Sequence, residues 1–231
     1  MKPIKVGLIG IGKLGTAMLT NWERQGISIG VYHPNREKAH QYSQSYQTSY
    51  LLEEKELLNT DVLILALPAI EIIPFISSLN YQSMSQHSPN IINMATNLPT
   101  KEIKSKFPFL NLYGIKYMGH AKDLLEHGNG LFISELVLPE IVDELFQSIG
   151  KIEIDSEECL TKVNKLATYY AIKTAIDIEN EFTARGLSYD YLKRALTSLA
   201  PEVIRSYSEG TLGHFAKEIV KEIQEENRKQ D

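Results

Sequence analysis

The chain has 231 residues, 43% of which are hydrophobic, and it carries a formal net charge of -5. A chain of this length and hydrophobic content can bury a substantial core in one large domain or two small ones. The negative charge and the lack of a basic patch argue against nucleic acid, or an anionic membrane surface, as a partner.

The numbers and positions of cysteine and histidine residues indicate which cellular compartment and which metal cofactors are compatible with the chain. The single cysteine, Cys159, excludes an internal disulfide and a cysteine-based metal cluster, and it favours a reducing cytoplasm. The six histidines are scattered without metal-ligand spacing, so we expect no metal. No apolar stretch approaches the roughly 18 residues that span a bilayer, so we expect no membrane partner.

The first predicted elements are a strand and a helix joined by a glycine-rich turn. The apolar run at residues 4–9 opens into G-x-G-x-x-G at Gly10, Gly12 and Gly15. A helical repeat follows at once, carried by Leu14, Met18 and Trp22. In this context the first glycine permits the turn, the second lets phosphates approach the main chain, and the third packs the helix against the strand.

The backbone N–H groups at the start of such a helix bind the pyrophosphate of a dinucleotide. The alternative is an ordinary glycine-rich loop between a strand and a helix. We expect the cofactor to contact the six residues of the turn, which are Gly10, Ile11, Gly12, Lys13, Leu14 and Gly15.

The end of the second predicted strand determines which nucleotide binds. A carboxylate here would hold a free ribose 2′-hydroxyl, but this position is occupied by His33. Asn35 can donate a hydrogen bond, and the planar guanidinium of Arg36 suits a 2′-phosphate. These three residues favour NADP(H) over NAD(H). Asn35 is also typical of a helix N-cap, with Arg36 as a solvated charge, and both roles can hold together.

Further apolar strands alternate with helical segments along the first two thirds of the chain. We predict strands at residues 61–68, 90–96, 110–117, 131–134 and 151–155. This alternation predicts an α/β fold, a Rossmann doubly wound parallel sheet. The carboxyl ends of parallel strands face the ligand crevice, so Leu67, Pro68, Ala95 and Thr96 are expected to line the cofactor.

Only helices are predicted after residue 155. A capping-box pattern at residues 155–158 predicts the start of a long helix. This helix is expected to run to Arg185, and Gly186 terminates it. Two shorter helices are predicted near residues 189–207 and 212–226. We therefore expect a dinucleotide-binding Rossmann domain at residues 1–155 and a smaller all-α C-terminal domain, for substrate and dimerisation, at residues 156–231.

The long helix has two adjoining apolar faces. One carries Leu160, Val163, Ala167, Tyr170, Thr174, Ile178 and Phe182, and the other carries Leu166, Tyr169, Ile172 and Ile176. Two short helices cannot easily cover so broad a surface, so we expect a homodimer through the helical domain. The alternative is a long helix buried wholly within its own chain.

Four segments in a fixed order carry a family resemblance. They are the glycine turn at Gly10–Gly15, the strand at Asp61–Pro68, the segment Lys116–His120, and Gly186-Leu187-Ser188 before the last helices. With these segments the chain resembles the pyrroline-5-carboxylate reductase family over nearly its whole length. The resemblance implies a two-domain enzyme that passes hydride from NADPH to a cyclic imine, with helical domains interlocked in a dimer.

Two departures from that family bear on the substrate. The family's G-S-G-P-A-Y signature corresponds to Lys165–Tyr170, which shares only the final tyrosine, and its M-P-N step corresponds to Met118-Gly119-His120. We therefore expect a small cyclic imine or carbonyl substrate, without assigning the chain to proline biosynthesis. The alternative from another class is a catalytically altered regulatory relative that binds the nucleotide.

Reduction of an imine or a carbonyl needs a proton donor near the reacting atom. His120 follows a predicted strand on the crevice side, and the alternative is a turn or packing residue. Lys173 shares a helix face with Tyr170 and Asp177. A lysine on the equivalent helix is the acid in β-hydroxyacid dehydrogenases, which the chain resembles less closely, so a hydroxyacid dehydrogenase using Lys173 is a further hypothesis. The alternative for Lys173 is a surface pair with Asp177.

Overall fold

The computed structural model describes residues 4–81 and 88–229. The chain divides into two compact units, Met1–Lys165 and Leu166–Asp231. This division lies inside the long helix, beyond residue 155, where the all-helical pattern begins. The domain boundary at 155/156 stays a prediction.

The first unit is built on a sheet of six parallel strands. Their order is β3-β2-β1-β4-β5-β6, with β1 and β4 at the centre. The first three strands are added towards one edge of the sheet and the last three towards the other, so the order of addition reverses between β1 and β4. The strands are β1 Val6–Ile9, β2 Ile29–Tyr32, β3 Ser49–Leu51, β4 Val62–Leu65, β5 Asn90–Asn93 and β6 Asn111–Gly114. This order is that of a Rossmann sheet, and the predicted α/β doubly wound fold is confirmed.

Helices connect these strands, because neighbouring parallel strands need crossover connections. The helices are α1 Lys13–Arg24, α2 Arg36–Ser45, α3 Ala69–Ser78 and α4 Thr100–Lys106, and a 3-10 helix covers Glu54–Asn59. The predicted apolar stripe of α1 packs into the core, where Met18 and Trp22 are fully buried. The Trp22 indole Nε1 donates to the Leu145 carbonyl at 3.0 Å, and its ring meets the Phe146 ring edge-on. Trp22 therefore joins the first helix to a segment that lies far away in the sequence.

A second, three-stranded sheet completes the first unit. It contains β7 Lys116–Tyr117, β8 Gly130–Ser134 and β9 Gly150–Ile154, with α5 Ala121–His127 and α6 Glu140–Gln147 between them. β7 is antiparallel to β8, and β8 is parallel to β9. The predicted strand at 110–117 is therefore two strands, which belong to different sheets. The chain passes from one sheet to the other at Ile115, whose N–H still donates to the Asn93 carbonyl of the large sheet at 3.1 Å.

The remaining elements are all helical, as predicted. They are α7 Glu157–Ala184, α8 Tyr189–Arg194, a π-helical turn Ala195–Leu199, α9 Ala200–Glu209 and α10 His214–Arg228. The predicted helix at 189–207 thus contains a wider π turn, which directly precedes Pro201 in the first turn of α9. Proline has no N–H to donate to the preceding turn, and a π turn accommodates that loss.

The end of the long helix follows its sequence signal. Gly186 has a φ of +63°, which is in the left-handed region that favours glycine. Its N–H donates to the Thr183 carbonyl at 3.1 Å, and the Leu187 N–H donates to the Phe182 carbonyl at 3.0 Å. These two bonds form a Schellman motif, so the predicted termination at Gly186 is confirmed.

The apolar faces of α7 stay largely open in this chain. Four side chains are between 50% and 61% exposed, namely Leu166, Tyr169, Ile172 and Ile176. The alternative of a helix buried wholly within its own chain is therefore wrong.

Among residues 4–81 and 88–229, no helix is both long and apolar enough to cross a membrane. Within the same ranges, no three His, Cys, Asp or Glu side chains gather in a way that would hold a metal ion.

Candidate nucleotide-binding site

The glycine turn joins β1 to α1 at the centre of the large sheet. Gly10 has a φ of +100°, and a Cβ on it would overlap the Ala66 carbonyl oxygen. A Cβ on Gly15 would overlap the Gly10 carbonyl oxygen. These two glycines are therefore required by the fold itself, because the turn and the close contact of helix and strand leave no room for a side chain.

Gly12 differs from both of these glycines. It is the N-cap of α1, its φ is -76°, and a Cβ on it would meet no atom within 4 Å. Neither backbone strain nor packing against the protein calls for a glycine here. The open space beside Gly12 is what a phosphate group needs in order to approach the main chain.

The start of α1 supplies the electrostatics of the turn. The helix has 12 residues, no acidic residue in its first turn and no side-chain cap on its first N–H groups. Such a helix end carries a partial positive charge and N–H groups without partners inside the helix. Lys13, the first helical residue, adds a full positive charge. The arrangement suits a bound anion.

A cavity of about 720 Å³ opens beside this turn, at the carboxyl edge of the sheet. Its walls come from the glycine turn, the end of β2, the first turns of α2, the end of β4 and the start of α3. Of the predicted cofactor contacts, the cavity is lined by Gly10, Ile11, Gly12, His33, Leu67 and Pro68. It lies where the strand order reverses between β1 and β4, which is the usual ligand crevice of such a sheet.

The other predicted cofactor contacts do not line this cavity. Lys13, Leu14 and Gly15 belong to the helix behind the turn, and Gly15 is buried. Ala95 and Thr96 follow β5, one strand further from the turn; Ala95 is buried and Thr96 is exposed. Their roles as cofactor contacts stay predictions.

The end of β2 arranges three predicted residues in different ways. His33 lines the cavity, and its Nδ1 accepts a hydrogen bond from the Asn35 N–H at 2.9 Å. Asn35 caps α2, since its side-chain oxygen accepts from the Lys38 N–H at 3.1 Å, and the predicted N-cap is confirmed. Arg36 does not line the cavity. Its Nη2 donates to Glu53 Oε1 at 2.8 Å, and its side chain is 76% exposed.

Lys38 was not among the predicted site residues, although it lines the cavity. It lies in the first turn of α2, one residue after Glu37, and the sequence pattern marks it only as a solvated helix charge. Glu71, at the start of α3, lines the same cavity. The Asn35 cap was the signal that could have identified Lys38. With Asn35 as the N-cap, Lys38 is the third residue of α2 and lies in the first turn of that helix, next to the end of β2.

His120 lies at the start of α5 and is exposed. Its Nδ1 accepts a hydrogen bond from the Lys122 N–H at 3.3 Å, and its carbonyl accepts from the Tyr117 hydroxyl at 3.2 Å. It follows β7 of the small sheet, so the crevice argument for parallel strands of the large sheet does not reach it. His120 is a helix cap in this structure, and its catalytic role stays a prediction.

Lys173 and Tyr170 lie one turn apart on α7, and both are exposed, Tyr170 at 58%. The Tyr170 ring meets the Tyr169 ring edge-on, with centroids 5.3 Å apart. Asp177 lies one turn further along α7 and is also exposed, and its surface pair with Lys173 stays an alternative. The catalytic roles of Lys173 and Tyr170 stay predictions.

A buried polar cluster lies under the segment that follows β5, and it was not predicted. Lys116 is fully buried, and its Nζ donates to the carbonyl oxygens of Ala95 at 2.6 Å and Leu98 at 3.1 Å. Its Nζ is also 3.7 Å from Glu157 Oε1. Burial lowers the pKa of Lys116 to about 8, and the nearby Glu157 and Glu135 carboxylates oppose that shift only in part.

Comparison of the sequence with known proteins adds a family resemblance. Residues 5–96 match the model of a family described as NADP oxidoreductase, coenzyme F420-dependent. The match begins just before β1 and ends just after β5, so it covers the glycine turn and the cavity. Comparison with curated proteins gives no match.

Comparison with solved structures extends the likeness to nearly the whole chain. A pyrroline-5-carboxylate reductase from Coxiella burnetii has a TM-score of 0.71 at 14% identity, over 99% of this chain and 93% of that one. An imine reductase from Aspergillus terreus, in a complex with NADPH4, has a TM-score of 0.62 at 15% identity, over 89% of this chain and 78% of that one.

A third similar structure comes from another class of substrate. The 3-hydroxyisobutyrate dehydrogenase of Mycobacterium tuberculosis has a TM-score of 0.58 at 15% identity, over 84% of this chain and 70% of that one. At these identities the three structures share a fold with this chain. The chain thus has a Rossmann-type fold followed by a helical region, like these oxidoreductases, and over residues 5–96 its sequence is similar to that of NADP oxidoreductases.

Proposed function

We propose that this chain is a cytoplasmic NADP-dependent oxidoreductase that transfers hydride from NADPH to a small cyclic imine or carbonyl compound. The observation that carries the proposal is the open space at Gly12. Gly10 and Gly15 are explained by the fold, but Gly12 has no neighbour that excludes a side chain. A bound pyrophosphate supplies the missing reason for a glycine at this position.

The choice of NADP rests on the charges at the far end of the cavity. No carboxylate follows β2 to hold a ribose 2′-hydroxyl, and Lys38 lines the wall where a 2′-phosphate would lie. Lys38 can act as a point charge for that phosphate, while Arg36 can reach it only by leaving Glu53. We therefore place Lys38 first and Arg36 second in the recognition of the 2′-phosphate.

The substrate class rests on similarity of fold together with the chemistry of the cofactor. When bound, NADPH supplies the hydride, and the protein must supply a proton or a hydrogen bond at the acceptor atom. His120, Lys173 and Tyr170 are the candidates for that role. The similar imine reductase and pyrroline-5-carboxylate reductase favour a C=N substrate. The similar 3-hydroxyisobutyrate dehydrogenase supports the alternative, a carbonyl substrate with Lys173 as the acid.

A regulatory protein that binds the nucleotide without turnover is the second candidate. Two observations favour it. The segment Lys165–Tyr170 lacks the small residues of the reductase signature, and His120 is engaged as a helix cap. Neither observation removes the nucleotide site, so both candidates share the same cofactor.

The chain's partner, in our proposal, is a second copy of itself. The exposed apolar side chains of α7 form a continuous helix face, and α9 and α10 add further exposed apolar groups such as Val203, Ile204 and Phe215. Monomeric proteins rarely expose such contiguous apolar surface. Isologous pairing of this face in a homodimer covers it.

The proposal is tested in two steps with the purified chain. Calorimetric titration with NADPH and NADH asks first whether a nicotinamide cofactor binds, and the absence of heat with both would refute the nucleotide site. A panel of cyclic imines, 2-keto acids and β-keto acids is then added while the absorbance of NADPH is followed. Turnover of an imine supports the reductase, turnover of a keto acid supports the dehydrogenase, and binding without turnover supports the regulatory protein.

Variants of the candidate acids sharpen the second step. Lys173→Met, His120→Gln and Tyr170→Phe each remove one proton donor and keep a side chain of similar size. The variant that removes the acid is expected to lower kcat by about 100-fold while the affinity for NADPH is unchanged. If all three variants keep wild-type kcat, none of these residues is the acid.

A further inference from the structure

We propose that Lys116 is a positioning residue that holds the segment 95–98, after β5, in the shape that receives the nicotinamide half of the cofactor. The inference rests on the proposed function, because it assumes that NADPH occupies the crevice. It assigns a role to a buried side chain that lies outside the glycine turn and outside the walls of the main cavity.

Lys116 contacts the segment 95–98 and Glu157, a residue that in turn binds Thr100. The Nζ group donates to the carbonyl oxygens at both ends of the segment, Ala95 at 2.6 Å and Leu98 at 3.1 Å. Its countercharge is Glu157, the first residue of α7, which also accepts from the Thr100 N–H at 2.9 Å and from the Thr100 hydroxyl. Lys116 therefore links the segment, the start of α4 and the start of α7.

Asn93 holds the same segment through two further hydrogen bonds. It is fully buried at the end of β5, and its side-chain oxygen accepts from the Ala95 N–H at 3.1 Å. Its side-chain nitrogen donates to the Leu98 carbonyl at 2.9 Å. Two buried polar side chains thus tie down one short segment, whose outer residues, Thr96 and Asn97, are exposed at the carboxyl edge of the sheet.

A buried ammonium group is a costly way to stabilise a loop. Removing the charge from water carries a large desolvation penalty, and a well-packed apolar residue at such a site is often as stable or more stable. Because the lysine donates to two carbonyl groups at once, it fixes their separation, which an apolar side chain cannot do. If the segment 95–98 must hold one precise shape, that requirement explains why a buried lysine stands here despite the cost of desolvating its charge.

The place of the segment in the sheet gives the half of the cofactor that it serves. In a doubly wound sheet a dinucleotide lies across the switch point, with one half over β1–β3 and the other over β4–β6. The glycine turn, His33 and Lys38 belong to the first half. The segment 95–98 follows β5 and belongs to the second, on the side where the nicotinamide lies.

The test compares two ligands on one variant. NADPH spans both halves, whereas 2′,5′-ADP carries only the adenosine half with its 2′-phosphate. For Lys116→Met we expect the calorimetric Kd for NADPH to rise about tenfold, while the Kd for 2′,5′-ADP stays within about twofold of wild type. The matched control is Lys122→Met, which removes an exposed lysine side chain and is expected to change neither constant.

The outcomes separate the inference from the proposed function. If wild type binds neither NADPH nor 2′,5′-ADP, both the function and the inference are overturned. If wild type binds both ligands and Lys116→Met weakens both equally, or weakens neither, the function stands and the inference is wrong. Should Lys116→Met lose its native circular dichroism spectrum, Glu157→Gln carries the same comparison, because it removes the countercharge and keeps an oxygen acceptor for Thr100.

Discussion

Arg36 and Glu53 form an ion pair, with Nη2 of the arginine 2.8 Å from Oε1 of the carboxylate. Glu53 caps the 3-10 helix that precedes β4, so the arginine that the sequence places on the 2′-phosphate is held by a different segment. If Arg36 binds the phosphate, it must exchange one anion for another. The pair therefore sets the net gain that Arg36 contributes to NADPH binding.

The first prediction concerns this exchange. Arg36→Ala is expected to weaken NADPH binding by about 1 kcal/mol, because breaking the ion pair with Glu53 offsets part of the gain from the phosphate, and to leave NADH binding nearly unchanged. Glu53→Gln keeps a side-chain oxygen as the helix cap but removes the competing charge, so it is expected to tighten NADPH binding by about threefold. Isothermal titration of both cofactors measures these changes. Equal losses for NADPH and NADH in Arg36→Ala would remove Arg36 from phosphate recognition.

The second prediction compares two glycines of the same turn. Gly12→Ala adds a methyl group to open space, so the free energy of unfolding is expected to stay within about 1 kcal/mol of wild type. The same methyl group occupies the place of the pyrophosphate and is expected to weaken NADPH binding at least about tenfold. Urea unfolding and calorimetry give the two quantities.

Gly10→Ala is the matched comparison for Gly12→Ala. Its φ of +100° and the overlap with the Ala66 carbonyl oxygen predict a loss of stability of at least about 2 kcal/mol. A stable Gly12→Ala chain that binds NADPH as wild type does would contradict the pyrophosphate site.

The third prediction follows from the lowered pKa of Lys116, about 8 in the folded chain against 10.5 for an ordinary lysine. Between these values the unfolded chain binds a proton that the folded chain has released, so rising pH favours the folded state. This group is expected to add about 2 to 3 kcal/mol to the free energy of unfolding between about pH 7 and about pH 10.

Urea unfolding across this range measures the gain, and Lys116→Met in the same buffers removes it. Tyr32, Tyr50 and Tyr117 have pKa values raised by burial, so above about pH 10 they lower the stability of both chains alike. Parallel pH profiles for wild type and Lys116→Met would show that Lys116 does not titrate in this window.

The fourth prediction concerns the apolar face of α7. Ile172→Glu places a charge in the middle of that face, and an isologous dimer would have to bury that charge twice, once from each copy. We expect the variant to be a monomer by light scattering at concentrations where wild type is a dimer. Ser105→Glu adds the same charge at an exposed position of α4 and is expected to leave the dimer intact. A monomeric wild-type chain would contradict the dimer.

The sequence alone was sufficient for elements whose cause is local. The glycines at 10 and 15 identify the turn because few other sequences combine a tight turn with close packing of a helix on a strand, and Gly12 completes the G-x-G-x-x-G pattern. The C-terminal boundary of α7 follows from a local signal in the same way, since Gly186 can take a positive φ at no steric cost. The order of strands and helices then limits the topology to a doubly wound sheet, because parallel strands need crossovers of one hand.

Tertiary structure decided what depends on residues far apart in the chain. A single apolar run at 110–117 is divided at Ile115 because its two halves meet different partner strands, and that pairing moves His120 away from the large sheet. In the sequence Lys116 looks like an ordinary surface lysine. In the folded chain it is buried and contacts Ala95, Leu98 and Glu157. Arg36 and Lys38 look alike in sequence, but only the fold brings Glu53 to one and the cavity to the other. Charge and periodicity are properties of neighbours in sequence, whereas burial and ion pairing are properties of neighbours in space.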